Sequence, residues 1–428
     1  MPTHYSIHIT RGETTKLYTP EFQNEVKYAA GWKATLQKAH QHGIVQCKCP
    51  GQGERRLVVR YYEKTDSYSL ARWPGAGPEH ARDCKWWSMI SETSGISGYQ
   101  DGVVKEKADG TLVIRLAVGM KQQTPRQNPD ENDASSPPVN PGKRRQSTMS
   151  PLGLMHLLWT GSQLNYWYPR MQGKRHISLL NRLLLAQAND ISVGRVCLAD
   201  ALLLPAEDDT QASRANEEKV KLAIRNRSRL VAIAPLAKYT PEREQGLGRL
   251  VITHFFGYPL MLLDKDIWQD TLRRFPHAVS AWHRGGKIVA CAQIDVPELL
   301  NGTSGAAKAQ VLKVGVMQVS DRWIPLDSAY EEILEAKLAK EGRAYSKPLR
   351  FEIGEDVTLP DFCLLDTTSG KPFPMEVFGM DTADYQVRKQ EKMEWYDEEY
   401  GPNGWWYWNV SAMSDDKSLP LLPIKKDK

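Results

Sequence analysis

Four residues tie two distant stretches of this chain together. Cys47 and Cys49 stand in QCKCPG, His80 and Cys84 in GPEHARDC, and between them lie the strand-like runs RRLVVRYY and SYSLARW, separated by the turn residues EKTD. A hairpin returns its ends to one place, so the C-x-C and H-x3-C pairs are expected to meet as four tetrahedral ligands. Pro50, Gly51, Gly75 and Gly77 supply the tight bends. Three thiolates and an imidazole suit Zn2+, and four protein ligands leave no open position, so the ion would be structural. Such binding adds about 10 kcal/mol or more to the folding of a small module. Cys197, Cys291 and Cys363 lie singly in apolar runs and are expected in the core.

Six cysteines in 428 residues are too sparse for a disulfide scaffold and point to a reducing, cytoplasmic setting. The opening MPTHYSIHITRGETTK lacks the pattern of a signal peptide. The most apolar run, LVITHFFGYPLMLL at 250–263, is too short to span a bilayer, so no membrane partner is expected. A net charge of +5 permits nucleic-acid binding without arguing for it.

Residues 120–150 are rich in Pro, Asn, Gln, Ser and charge and read as a disordered linker. They separate a zinc-binding β-hairpin module at 1–119 from the rest. That module also carries a helix at 21–40 and a second hairpin, GVVKEKADGTLVIRLAV, turning at Asp109–Gly110. Residues 151–325 read as helices followed by a mixed α/β region. Ser150–Pro151 opens the first helix, DKDIWQDTLRRF is another, and RLVAIAPL, AVSAWH, KIVACAQIDV and QVLKVGVMQV are predicted strands. In 326–412 the order is clearer: the helix DSAYEEILEAKLAKEG, the strands KPLRFEI, DFCLLDT and PMEVFGM, the helix DTADYQVRKQEKMEWYDEEYG and the strand WWYWNVSA. Residues 413–428 read as a flexible tail. The fold class is therefore α/β, of α+β multidomain type.

Asp361 opens one of these short strands and Glu376 lies within the next. Side chains alternate along a strand, so Glu376 and Phe378 point the same way. Carboxylates from neighbouring strands can share Mg2+ or Mn2+, which take oxygen ligands. Tyr385, Arg388, Lys389, Lys392 and Tyr396 recur at three- and four-residue spacing and share one helix face. The order of elements, with PDF and MEV, resembles the PD-(D/E)XK nuclease superfamily over 326–412. The resemblance implies a restriction-endonuclease-like αβββαβ core, Asp361 and Glu376 as metal ligands, and Glu331 as the acidic residue of the first helix. It also implies a lysine two residues after Glu376, where this chain has Phe378; some members supply that charge from the following helix, here Lys389 or Lys392. CKCPG, YSLARWPGAGPEHARDC, GKRHISLLNRLLLAQA and LPDFCLLDTTSGKPFPMEVFGM together resemble a bacterial family of unknown function carried on conjugative plasmids and integrative elements.

Arg170, Lys174 and Arg175, near Tyr166, Trp167 and Tyr168, are candidates for contacting nucleic-acid phosphate, as is Arg388. No phosphate-binding Gly-rich loop, H-E-x-x-H or G-x-S-x-G occurs. The expectation is a Mg2+-dependent DNA endonuclease of a mobile genetic element, with conjugation or defence machinery as further partners. The alternative is a catalytically inactive DNA-binding or partner-docking protein on the same fold, stabilised by structural zinc.

Overall fold

The computed structural model describes residues 3–40, 43–62, 66–73, 76–81, 84–86, 104–107, 110–122, 148–245, 248–253, 255–300, 306–349, 359–368, 371–379, 383–410 and 419–426. The expected linker lies outside them over 123–147. The architecture is mixed α/β with several sheets.

The N-terminal sheet is built from β1 (Ile7–Arg11), β2 (Thr14–Tyr18), β3 (Ile44–Cys47), β4 (Arg56–Tyr62) and β5 (Ser67–Arg72), in the order β2-β1-β3-β4-β5. All its neighbours are antiparallel. The helix expected over 21–40 is two helices, α1 (Pro20–Asn24) and α2 (Ala29–Ala39). Glu25, extended at ψ 136°, breaks them. Its neighbour Gln23 donates its side-chain amide to the carbonyls of Tyr5 (3.1 Å) and Tyr18 (3.0 Å), which ties the break to the sheet. α2 then lays Leu36 and Ala39 over Ile7, Ile9, Val45 and Leu57.

The hairpin β6 (Val104–Glu106) and β7 (Leu112–Ile114) turns at Gly110, whose φ of 76° favours glycine. After it come α3 (Pro151–Gly161), β8 (Tyr166–Trp167), α4 (Ile177–Asn189), β9 (Ile191–Val193), β10 (Val196–Cys197), α5 (Leu198–Ala201), β11 (Leu202–Leu203) and α6 (Gln211–Asn226). Ser150 caps α3 by accepting from Gly153 N at 3.1 Å. β7 runs parallel to β9 in a sheet ordered β10-β9-β7-β6. Ile114, Leu116 and Met120 consequently share one core with α3 and α4, although residues 123–147 separate them in sequence.

The largest sheet adds β12 (Leu230–Pro235), β13 (Leu260–Leu262), β14 (Lys287–Ile294) and β16 (Ala307–Val319), ordered β11-β12-β14-β16-β13, with β15 (Glu298–Leu299) beside β16. Helices α7 (Pro241–Gln245), α8 (Lys265–Arg274) and α9 (Pro276–His283) fall between its strands. α9 contains AVSAWH, a predicted strand, as helix. Pro276 opens the helix, and Ala278, Val279, Ala281 and Trp282 fall on its buried side. A six-residue apolar stretch fits either period, and here packing against β14 and β16 selects the helix.

The last unit contains β17 (Pro325–Leu326), which pairs with β16, then α10 (Ala329–Lys340), β18 (Tyr345–Ser346), β19 (Phe362–Leu364), β20 (Phe373–Phe378), α11 (Ala383–Tyr400) and β21 (Trp406–Asn409). Its sheet is ordered β21-β20-β19-β18-β8, antiparallel except for the β20–β21 pair. A helix, three strands, a helix and a strand follow one another here, with β8 joining from the middle of the chain, but the first strand is Tyr345–Ser346 and not the predicted KPLRFEI, whose described residues 347–349 are not strand. The first strand is short; residues 350–353 of KPLRFEI lie outside the described residues. Leu334 and Leu338 of α10 meet Tyr345, Phe362, Leu364 and Met375 on one face, while Phe378, Tyr396 and Trp405 cluster on the α11 face. Of the expected flexible tail, residues 419–426 are held on this unit. Leu419 and Leu422 pack on its core, Trp406 Nε1 donates to Leu421 O (3.0 Å), and Arg343 Nη1 donates to Pro423 O (2.8 Å).

Candidate metal centre and acidic site

Cys47 closes β3, and Arg55, at φ 49°, leads the chain into β4. Arg55 holds the intervening loop by donating to Cys47 O (3.2 Å) and Gly51 O (2.5 Å). A Cβ on Gly51 would meet Glu79 O at 2.0 Å, so only glycine lets the two loops approach this closely. The approach brings one ligand atom each from Cys47, Cys49, His80 and Cys84 within 4.8 Å of one another, all buried. Cys47 Sγ lies 3.7 Å from Cys84 Sγ. His80 Nδ1 lies 3.6 Å from Cys49 Sγ and 3.7 Å from Cys84 Sγ. A tetrahedron with metal–sulfur bonds of about 2.3 Å and a metal–nitrogen bond of about 2.0 Å needs sulfurs about 3.8 Å apart and sulfur–nitrogen edges of about 3.5 Å. The cluster meets these demands and can bind a metal such as zinc.

The three thiols share their protons unequally. Hydrogen bonding from Cys84 pulls the Cys47 thiol down to about 4. The same bond pushes Cys84 up, and burial pushes Cys49 up. Without a cation only one of the three sulfurs is thus held as a thiolate, and a bound metal would supply the charge that deprotonates the other two. Ala81 N (3.2 Å) and Trp86 N (3.5 Å) donate to Cys49 Sγ and Cys84 Sγ, orienting the sulfurs.

The second constellation lies where the last sheet meets its two helices. β19 and β20 pair Phe362 with Met375, and one further step of that register sets Asp361 across from Glu376. Asp361 Oδ2 accepts from Val377 N at 2.8 Å. Glu376, 1% exposed, takes Lys392 Nζ on Oε2 and the Tyr396 hydroxyl on Oε1, both at 2.7 Å. Burial, and then the charge of Asp361, push the Glu376 carboxyl up to about 8 against the pull of Lys392. The residue two beyond Glu376, Phe378, packs with Tyr396 and Trp405. Lys392 therefore reaches Glu376 from the helix, and Lys389 lies 5.3 Å over the Phe378 ring.

Glu331 has a different setting. Its amide donates to Ser328 Oγ (3.1 Å), while its Oε2 accepts from Asp327 N (2.9 Å) and Lys347 Nζ (2.7 Å). Lys347 Nζ also lies 2.9 Å from Asp327 Oδ2. Burial opposes charge on Lys347, but Asp327 and Glu331 outweigh it and hold the ammonium protonated. Sequence reading missed Lys347 and Asp327. A lysine in YSKPL looks like any surface lysine; alternation from buried Tyr345 was the available signal. Among the described residues, the Cys/His group draws three or more ligand atoms together; Asp361, Glu376 and Glu331 do not.

Arg175, expected as a phosphate contact, spends its guanidinium on backbone carbonyls: Leu164 O (2.9 Å), Arg322 O (2.8 Å) and Tyr166 O. Burial lowers its pKa to about 10. It acts as internal scaffolding, because five donors on one rigid group can satisfy several loop carbonyls at once. Tyr166 and Trp167 are buried, so neither presents a face to bases. Arg170 and Lys174 are exposed, with Arg170 4.9 Å over the Tyr168 ring. The side chain of Arg388 lies outside the described residues.

Fold and sites together define a mixed α/β protein with a buried Cys3His cluster and an acidic, lysine-lined site at the end of its last sheet. The chain belongs to the family described as "Protein of unknown function (DUF1173)", whose model matches residues 21–411. No curated protein and no solved structure matches it. No helix among the described residues is long and apolar enough to cross a membrane.

Proposed function

We propose that the C-terminal unit is a divalent-metal-dependent nuclease centre acting on DNA, built on the αβββαβ plan of the PD-(D/E)XK superfamily. The observation that carries this reading is the 2.7 Å contact of Lys392 with Glu376. It supports a cation moved from the strand to the facing helix, where position 378 holds phenylalanine. In this reading Asp361 and Glu376 hold Mg2+ or Mn2+, whose oxygen preference they match. If bound there, such an ion would supply an acidified water and charge stabilisation at phosphorus. Tyr396 fixes the Glu376 carboxylate through its other oxygen. Lys392, 24% exposed, is placed to leave Glu376 for the scissile phosphate. Zn2+ at Cys47, Cys49, His80 and Cys84 holds the N-terminal module together. The setting is cytoplasmic, in a mobile genetic element, with DNA and transfer or defence proteins as partners.

A second reading has its own support: both oxygens of Glu376 are already engaged by Lys392 and Tyr396. An internal ion pair would then replace the metal, leaving a DNA-binding or docking protein. Plasmid and single-stranded DNA incubated with the protein and Mg2+ or Mn2+, beside Asp361→Ala and Glu376→Ala, separate the two. Metal-dependent cutting lost in both variants supports the enzyme. Absence of cutting, with gel shifts unchanged by the variants, supports the binder.

A further inference from the structure

One end of the largest sheet opens into a cleft of about 400 Å3, a volume typical of small-molecule sites. β13 and β15 flank the start of β16 there, and the C-terminal turn of α6 borders it. The register sets Leu262 beside Gln310 and Glu298 beside Lys308. Side chains alternate along a strand, so Lys308 and Gln310 share one face of β16.

Several polar groups of this lining are left unspent by the fold. Asp295 Oδ1 accepts from Arg229 Nε and Val296 N, both at 2.9 Å, whereas Oδ2 takes no hydrogen bond from the described residues. Glu298 and Lys308 meet loosely, at 3.9 Å. Arg227, which ends α6 at φ 47°, has no carboxylate partner among the described residues; its Nη2 reaches Gln122 Oε1 at 3.4 Å. Gln310 lends its backbone oxygen to Asp295 N (2.8 Å), but its side-chain Nε2, shut off from solvent, has no hydrogen-bond partner. Buried amides are nearly always satisfied, so one left over in a cavity wall is available to a ligand. Ile224, Leu262 and Val296 supply an aliphatic wall.

These groups specify a kind of ligand. Amides and carboxylates with spare hydrogen-bonding atoms suit hydroxyls, which both donate and accept. A guanidinium without an acid suits an oxyanion, which it can grip with two parallel N–H bonds. The aliphatic wall suits a C–H face, and no aromatic ring on which a base would stack lines the cleft among the described residues. We propose that this cleft is a binding site for a sugar phosphate, with the phosphate on Arg227 and Lys308 and the hydroxyls on Gln310, Asp295 and Glu298. A free sugar phosphate carries this chemistry, and so does the ribose-phosphate part of a mononucleotide. Arg227, Arg229 and Lys308 outnumber Asp295 and Glu298 by one charge, so the cleft attracts an anion. None of these residues belongs to the acidic site of the last sheet, so binding here and DNA cleavage there stand or fall separately.

The test is calorimetric titration of the full-length protein with ribose-5-phosphate, AMP, ribose and inorganic phosphate. Ribose-5-phosphate is expected to bind one to one, about tenfold or more tighter than ribose or inorganic phosphate. Arg227→Gln should weaken it about tenfold or more, and Arg227→Lys should recover part of that loss. Gln310→Leu should weaken it about fivefold and leave the weak binding of inorganic phosphate unchanged. AMP binding tighter than ribose-5-phosphate assigns the cleft to a nucleotide; equal or weaker binding assigns it to a free sugar phosphate, and either supports the site. The proposal is overturned if neither sugar phosphate binds, if inorganic phosphate binds as tightly, or if Arg227→Gln leaves the affinities unchanged. Should Gln310→Leu not fold, the variants of Arg227, whose side chain is exposed, decide.

Discussion

At the residue scale, Glu376 has the most to report. Its carboxyl titrates near 8 in the folded chain against an ordinary value of 4.5, because burial outweighs Lys392. Between those values the folded state holds the proton more tightly than the unfolded state. The stabilisation is therefore complete below about 4.5 and lost as pH rises through about 8. Denaturant unfolding without added Mg2+ or Mn2+ should show stability falling between about pH 5 and pH 8.5, with this part of the slope gone in Glu376→Gln. The Cys3His cluster makes a different prediction. Cys47→Ser/Cys49→Ser should purify without zinc and lose about 10 kcal/mol or more of metal-linked folding energy from the N-terminal module, read by metal analysis and thermal unfolding. Equal zinc in both proteins would remove the metal centre. This site was legible in the sequence because its ligands flank a local hairpin, and hairpin geometry follows from turn residues alone. Lys347 was not legible: its burial depends on Asp327, Glu331 and Asn165, which only tertiary packing brings to it.

At the element scale, the two-residue strand β8 has a large effect. Alternation sends Tyr166 into the N-terminal core and Trp167 into the core of the last sheet. Each truncation to alanine should cost about 3–5 kcal/mol, but in different places. Hydrogen exchange should show Tyr166→Ala loosening β1–β5 and Trp167→Ala loosening β18–β20; the same pattern from both would contradict the division of faces. Longer elements were readable from local signals, as the Ser328 cap of α10 and the continuous apolar run of β14 illustrate. The shorter α9 was not, and its assignment rests on neighbours that the local pattern does not contain.

At the scale of the whole molecule, chain order and spatial order diverge. The hairpin β6–β7 precedes residues 123–147 yet shares a core with α3 and α4. Leu116 bridges to Met149, Met149 N donates to Arg115 O (2.7 Å), and Arg229 Nη1 donates to Gly119 O (2.8 Å). Burying Ile114, Leu116 and Met120 contributes about 1.5–3 kcal/mol for each. Proteolysis within 123–147 should consequently yield two fragments that remain associated under native conditions. Separation on size-exclusion chromatography would show that these contacts do not hold the halves together.

By itself the sequence determined the local structures: the knuckle hairpin, the capped helices, and the strands holding Phe362 and Glu376. Each depends on residues close in the chain, where turn chemistry and side-chain period suffice. Tertiary structure alone decided which sheet β6, β7 and β8 join, that Arg175 serves carbonyls inside the fold, and that Lys347 is sealed among acids. Those outcomes depend on desolvation and pairing between residues far apart in sequence, and no local pattern encodes them.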